Sequence, residues 1–157
     1  MREMIYKKKR THREVLDAGI FSNYEYKIVS LGTHPCAYVK LPYTNMFFNL
    51  SYDNIPISVH GGLTYSANEL DGFWIGWDYA HCGDYTGYLS LPTDRKWTTG
   101  EILDHVKSVI NQLKHIDDIV ASNTFQSKVK NYKYDLLNTI FRTEAEVDDK
   151  TRTKKSD

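Results

Sequence analysis

Two short stretches concentrate the groups able to do chemistry. "SVHGGLTYS", Ser58 to Ser66, sets His60 before the paired glycines Gly61 and Gly62, with Thr64 just beyond. "GFWIGWDYAHCGD", Gly72 to Asp84, carries Trp74, Trp77, Asp78, His81, Cys82 and Asp84. Imidazoles and carboxylates gathered in this way suit three kinds of work. Acid–base catalysis would use His60 and His81 as proton donor and acceptor around a phosphodiester, with an aspartate fixing a tautomer. Ligand recognition would use the same groups as hydrogen-bond partners for phosphate, ribose and base. Metal ligation would use two imidazoles and a carboxylate with an open position. The chain has no HxH or HxxxH spacing around these histidines, so no metal and no cofactor is expected. Nothing near Cys82 marks it as an activated nucleophile.

Glycine reaches positive φ without steric cost, so Gly61 and Gly62 let a ligand or a strand come close to His60. Their successive N–H groups could also form a nest for a phosphate. The plainer alternative is a tight hairpin or bulge in which His60 bonds a neighbouring carbonyl. In the second stretch, strand alternation puts Phe73, Ile75 and Trp77 on one face and Trp74, Gly76 and Asp78 on the other. One reading stacks a ring-shaped ligand on Trp74 above the space left by Gly76, its polar edge held by Asp78; the other makes both tryptophans core. His60, Asp78, His81 and Asp84 are expected to converge at one end of a sheet. His105 and His115 read as helix-surface residues, His34 as a loop residue and His12 as part of a basic leader.

The elements that must position these groups are short runs rich in β-branched and aromatic residues: "YEYKIVS", "CAYVKLP", "PISVHGGLTYS" and "GFWIGWDYA". Each is bounded by Gly, Pro, Asn or Asp, which predicts three or four strands, antiparallel, separated by turns. Between the second and third runs, "YTNMFFNLSYDN" reads as a surface loop that packs its own rings, with Met46, Phe47 and Phe48 plugging the core or a subunit contact. Thr98, followed three residues on by Glu101, forms the reciprocal capping pattern of a helix start. Beyond it Ile102, Leu103, Val106, Val109, Ile110, Leu113 and Ile116 recur at spacings of three and four, one apolar stripe. A second helical segment, "YKYDLLNTIFRTEAE", carries Leu136, Leu137, Ile140 and Phe141 on a narrower face.

The fold class expected is therefore α+β: a twisted antiparallel β-sheet packed against one long amphipathic helix, plus a second, shorter helix. The 157 residues allow one domain with a real core. The expected organisation is a basic leader at 1–23, a single α+β domain at 24–143 and a flexible charged tail at 144–157.

The ordered run "CAYVKLP", "VHGGLTYS", "FWIGWDYAHCGD" and then an amphipathic helix resembles a family of small proteins encoded by bacteriophages and prophages. That family has a Val-His-Gly-Gly-Leu-Thr turn and an aromatic strand ending in Asp-Cys-Ala-His-x-Gly-Asp, with Tyr79 here in the place of its Cys. The likeness covers Cys36 to about Ile116. It implies that His60, Gly61, Gly62, Thr64, Asp78, His81, Gly83 and Asp84 form one site, and its phage setting implies interference with host defence signals.

Charge narrows the partners. Lys plus Arg equals Asp plus Glu at 20 each, so no net field draws a nucleic acid polymer or an anionic membrane. Two separated cysteines and no apolar run near the roughly 20 residues of a membrane span point to a reduced, cytoplasmic setting, and the phage resemblance implies that the cell is a bacterial host. The function expected is binding, and so sequestration, of a nucleotide-derived host signal such as a cyclic dinucleotide or an ADP-ribose derivative. The contacts would come from His60, Gly61, Gly62, Thr64, Trp74, Trp77, Asp78, His81 and Asp84, in a homo-oligomer. The first alternative is a metal-independent phosphodiesterase in which His60 and His81 transfer protons. The second is a protein-binding inhibitor of a host factor that uses the Met46–Phe48 loop.

Overall fold

The computed structural model describes residues 13–87, 90–122, 126–128, 130–135, 137–139 and 142. Five strands form one antiparallel sheet: β1 (Glu14–Phe21), β2 (Tyr24–Ser30), β3 (Pro35–Leu41), β4 (Tyr65–Glu69) and β5 (Gly72–Asp78). Their order is β1-β2-β3-β5-β4, so β5 enters between β3 and the edge strand β4. Helix α1 (Thr99–Ala121) follows, and a shorter helix α2 lies within 126–139, giving the α+β fold that the periodicities predict. The chain divides into two compact units, Met1–Asp117 and Asp118–Asp157, with the sheet wholly in the first.

The sheet begins earlier than the sequence reading placed it. The segment set apart as a basic leader, 1–23, contains β1, whose Phe21 pairs with Tyr24 across a two-residue turn. Ser22 and Asn23 both have positive φ, 46° and 68°, the geometry of a tight hairpin turn matched to strand twist. Its register slips between Val15 and Asp17, a bulge on the edge strand. The basic block Lys7–Arg10 and His12 lie outside the described residues, as do Leu136, Ile140 and Phe141 of the second helical run and the tail 144–157.

A second difference concerns the run Pro56–Ser66, read above as one strand. Only Tyr65 onward pairs with β5, whereas 56–64 is loop with a turn at His60 and Gly61. Two consecutive glycines at positive φ cannot continue a pleated strand, so the chain turns there and joins the sheet afterwards.

The core lies between α1 and one face of the sheet. Ile102, Val106, Val109, Ile110 and Leu113 of α1 are buried with Ile28, Val39, Ile75 and Trp77 of the strands. Each such side chain contributes about 1.5–3 kcal/mol of burial. The helix start is capped as the sequence predicts: Thr98 N–H donates to Glu101 Oε2 at 2.9 Å, and Glu101 N–H donates to Thr98 Oγ1 at 3.3 Å. Phe47 plugs the core and the half-buried Phe48 packs on Phe73, while Met46 is exposed. Near the other end of α1, Asp117 accepts hydrogen bonds from Tyr24 and from Asn45 Nδ2, tying helix, β2 and the aromatic loop together. Among the described residues no helix is long and apolar enough to cross a membrane.

Candidate functional site

The end of β5 delivers Asp78, Tyr79, His81 and Asp84 in quick succession, and the loop carrying the last two is closed by backbone bonds. Asp84 N–H donates to the His81 carbonyl at 2.9 Å, while Gly83 and Tyr85 exchange hydrogen bonds with Arg95, at 2.8 and 2.9 Å, in a short parallel bridge. That bridge places Trp97, two residues beyond Arg95, against Asp84.

Asp84 is the hub. Its side chain is 3% exposed, and both of its oxygens are occupied. Oδ2 accepts from His60 Nε2 at 2.8 Å and from the His81 backbone N–H at 3.0 Å; Oδ1 accepts from Trp97 Nε1 at 2.7 Å. Burial alone would raise its pKa, but the hydrogen bonds from His60, Trp97 and His81 N–H together hold the carboxyl below its ordinary value. A carboxylate can only accept, so His60 carries its proton on Nε2 in this arrangement.

His60 and His81 meet edge to face, ring centroids 5.4 Å apart. Gly61 makes this possible. A Cβ built on it would stand 2.1 Å from His81 Cε1, so the imidazole occupies space that any side chain would claim. His81 Nδ1 is buried without a hydrogen-bond partner, 3.6 Å from Asp84 Oδ2 and 3.7 Å from Asp78 Oδ1. One ligand-type atom from each of His60, His81 and Asp84 lies within 4.8 Å of the others. These three residues could share one ion, a grouping that the missing HxH and HxxxH spacings did not suggest. Local spacing carried no signal because the ligand atoms come from two separate turns that only the fold brings together.

A wall of rings stands behind His60. Tyr79 stacks on it at 5.2 Å and 10°, and Trp97 tilts against it at 4.8 Å. Tyr79 Oη accepts from Trp77 Nε1 at 3.0 Å and lies 2.8 Å from His105 Nδ1, to which its hydroxyl donates. Burial pushes the Tyr79 hydroxyl up to about 12. Burial likewise lowers His105, with the neighbouring His60 and Arg95 adding to the effect. Sequence reasoning missed Tyr79, Trp97 and His105 as neighbours of the site. For His105 a signal existed, since it lies three residues after Ile102 and four before Val109, at the margin of the buried stripe rather than on the outer surface of α1.

Several residues of the expected ligand site are otherwise engaged. Trp77 is 1% exposed and belongs to the core. Trp74 does share the opposite sheet face with Gly76 and Asp78, but it is also 1% exposed, covered by the Lys27 ammonium 4.0 Å from its ring. The gap over Gly76 is filled by Tyr38, whose Cδ1 would be 2.5 Å from an added Cβ. A ligand ring therefore finds no free face on either tryptophan. Thr64 Oγ1 donates to Asp78 Oδ2 at 3.1 Å, so these two satisfy each other. Gly62 N–H donates to the Val59 carbonyl at 2.9 Å, which leaves the expected phosphate nest without one of its two donors. Trp97 also lines an open hollow of about 260 Å³ with Ser30, His34, Tyr85 and Lys96; neither His60 nor His81 borders it.

The chain matches no protein-family model, no curated protein and no solved structure.

Proposed function

We propose that the protein hydrolyses a phosphodiester in a small nucleotide-derived ligand, at a centre made of His60, His81 and Asp84. Breaking a P–O bond with water requires one group to hold and deprotonate the water and surroundings that receive charge on the departing oxygen. The observation that carries the reading is the unpartnered Nδ1 of His81, beside a buried Asp84 that fixes His60 through one hydrogen bond. Structural histidines satisfy their buried nitrogens; one left unsatisfied next to a second oriented imidazole is poised for an incoming group. In this scheme His60 and His81 together hold the attacking water, and Asp84 fixes both through its Oδ2. The wall of Tyr79 and Trp97 excludes bulk water from one side of His60. The nucleotide character of the ligand is supported only by analogy with the phage setting that the resemblance implies.

Sequestration without cleavage is the second reading, favoured by the hollow beside Trp97, where Lys96 and His34 offer polar contacts for an anionic ligand. Incubating the protein with cyclic dinucleotides and ADP-ribose derivatives, then separating the products by chromatography, tests both. Cleavage that is abolished in His81→Ala while binding persists is the expected result. Ligand recovered unchanged from the denatured complex would replace hydrolysis by sequestration, and a panel that neither binds nor reacts would end both readings.

A further inference from the structure

His81 Nδ1 poses a question that proton transfer alone does not answer. It is buried, it has no partner, and the nearest acceptors, Asp84 Oδ2 and Asp78 Oδ1, stand 3.6 and 3.7 Å away. Those separations are too long for a hydrogen bond. They fit a different object. Two ligand atoms each about 2.1 Å from one ion are about 3.4 Å apart at a tetrahedral angle and about 3.0 Å apart at a right angle. The His81–Asp84 separation is near the first span and the 2.8 Å between His60 Nε2 and Asp84 Oδ2 is near the second, while the three atoms together lie within 4.8 Å of one another, so the two imidazoles would close slightly onto a bound ion.

We infer that His60 Nε2, His81 Nδ1 and Asp84 Oδ2 bind one divalent transition-metal ion, with the remaining positions open to water or substrate. Three features of the surroundings support it. Trp97 Nε1 bonds the other oxygen of Asp84, which turns Oδ2 toward the imidazoles in the way outer partners orient metal-binding carboxylates. The missing side chain at Gly61 keeps His81 within reach of His60. The donor set of two nitrogens and one carboxylate suits Zn²⁺, Mn²⁺ or Fe²⁺, whereas Ca²⁺ and Mg²⁺ favour all-oxygen shells. On binding, the proton of His60 Nε2 passes to Nδ1, giving the other neutral tautomer, and the freed lone pair on Nε2 takes up the ion. Asp78 remains outside the three, fixed by Thr64 and by the Ala80 N–H.

As an account of how the two histidines hold the attacking water, the inference rests on the hydrolytic reading; as a binding site it stands on the geometry alone. A bound ion would acidify its water and offset charge on the phosphoryl oxygens.

The test uses the full chain, stripped with a chelator, dialysed and titrated with Zn²⁺ by calorimetry and with Co²⁺ by visible absorption. One ion per chain is expected, with d–d bands of a low-coordinate Co²⁺ complex. His81→Ala and His60→Ala should each weaken binding by more than about 100-fold, and Trp97→Phe, an outer partner, by about 10- to 100-fold. His115→Ala, at an exposed helix position, should bind as the parent does. His81→Gln, with circular dichroism matching the parent, guards against a loss that merely reflects unfolding. No binding, or equal binding by the parent and the His60 and His81 variants, overturns the site. The two proposals separate cleanly. Cleavage that survives complete chelation removes the ion from the chemistry and leaves the hydrolase. One-to-one binding at these residues with no ligand cleaved keeps the metal site and removes the hydrolase.

Discussion

The ring of His81 occupies the volume that a β-carbon on Gly61 would need, with Cε1, Nε2 and Nδ1 all within 2.5 Å of that position. The neighbouring Gly62 also has positive φ, 81° against 68°, yet an added Cβ there would meet nothing within 4 Å. The pair therefore separates backbone strain from displacement of the imidazole.

Gly62→Ala should cost about 1–2 kcal/mol, the penalty of a left-handed L-residue, and leave His81 in place. Gly61→Ala carries the same strain and must also push the imidazole away. Urea denaturation should rank Gly61→Ala as the less stable, and the His81 ring resonances should shift only in that variant. Equal stabilities with unmoved His81 signals would refute the close packing.

Tyr79→Phe removes the acceptor of the buried Trp77 Nε1–H and the donor to His105 Nδ1 in one step. Leaving a buried donor unsatisfied costs about 1–3 kcal/mol, so the denaturation midpoint should fall with an unchanged slope. A neutral substitution would mean that Trp77 finds another acceptor.

The two cysteines should differ sharply in reactivity. Cys36 is buried and Cys82 exposed. Burial, reinforced by the charge of Asp78, pushes the Cys36 thiol up to about 11. Because the folded value exceeds the unfolded one, the associated stability is fully present below the ordinary thiol pKa of about 8.5 and is lost as pH rises toward the folded value. A thiol reagent at mildly alkaline pH should modify one site per chain, and none in Cys82→Ser. Rapid labelling of Cys36 in the folded protein would contradict the buried assignment.

The α+β class, the long helix and its Thr98–Glu101 cap were legible because period and capping are local properties of the chain. Strand β1 was not, since Lys and Arg before it and the exposed Val15 and Ile20 along it made an edge strand look like a solvated leader. The two-residue turn at Ser22 and Asn23 was the overlooked clue. In the site, His60, His81 and Asp84 stood out by residue type, but which partner each would find depended on tertiary closure. Trp97 reaches Asp84 through the Arg95 bridge across thirteen positions, and no periodicity announces such a contact. The tryptophans misled for a related reason. Alternation assigned Trp74 and Gly76 to the correct face without revealing that Lys27 and Tyr38 would cover them.

Arg95 joins two jobs in one residue. Its backbone clasps Gly83 and Tyr85, and its guanidinium pairs with Glu101, the residue that completes the helix cap, at 2.9 Å. Fraying of the first turn of α1 would therefore loosen the clasp, and with it the segment bearing His81 and Asp84. The cluster thus inherits the cooperativity of the helix: whatever steadies or melts that terminus, a bound partner or a substitution far from either imidazole, acts on the placement of His81 and Asp84 from a distance.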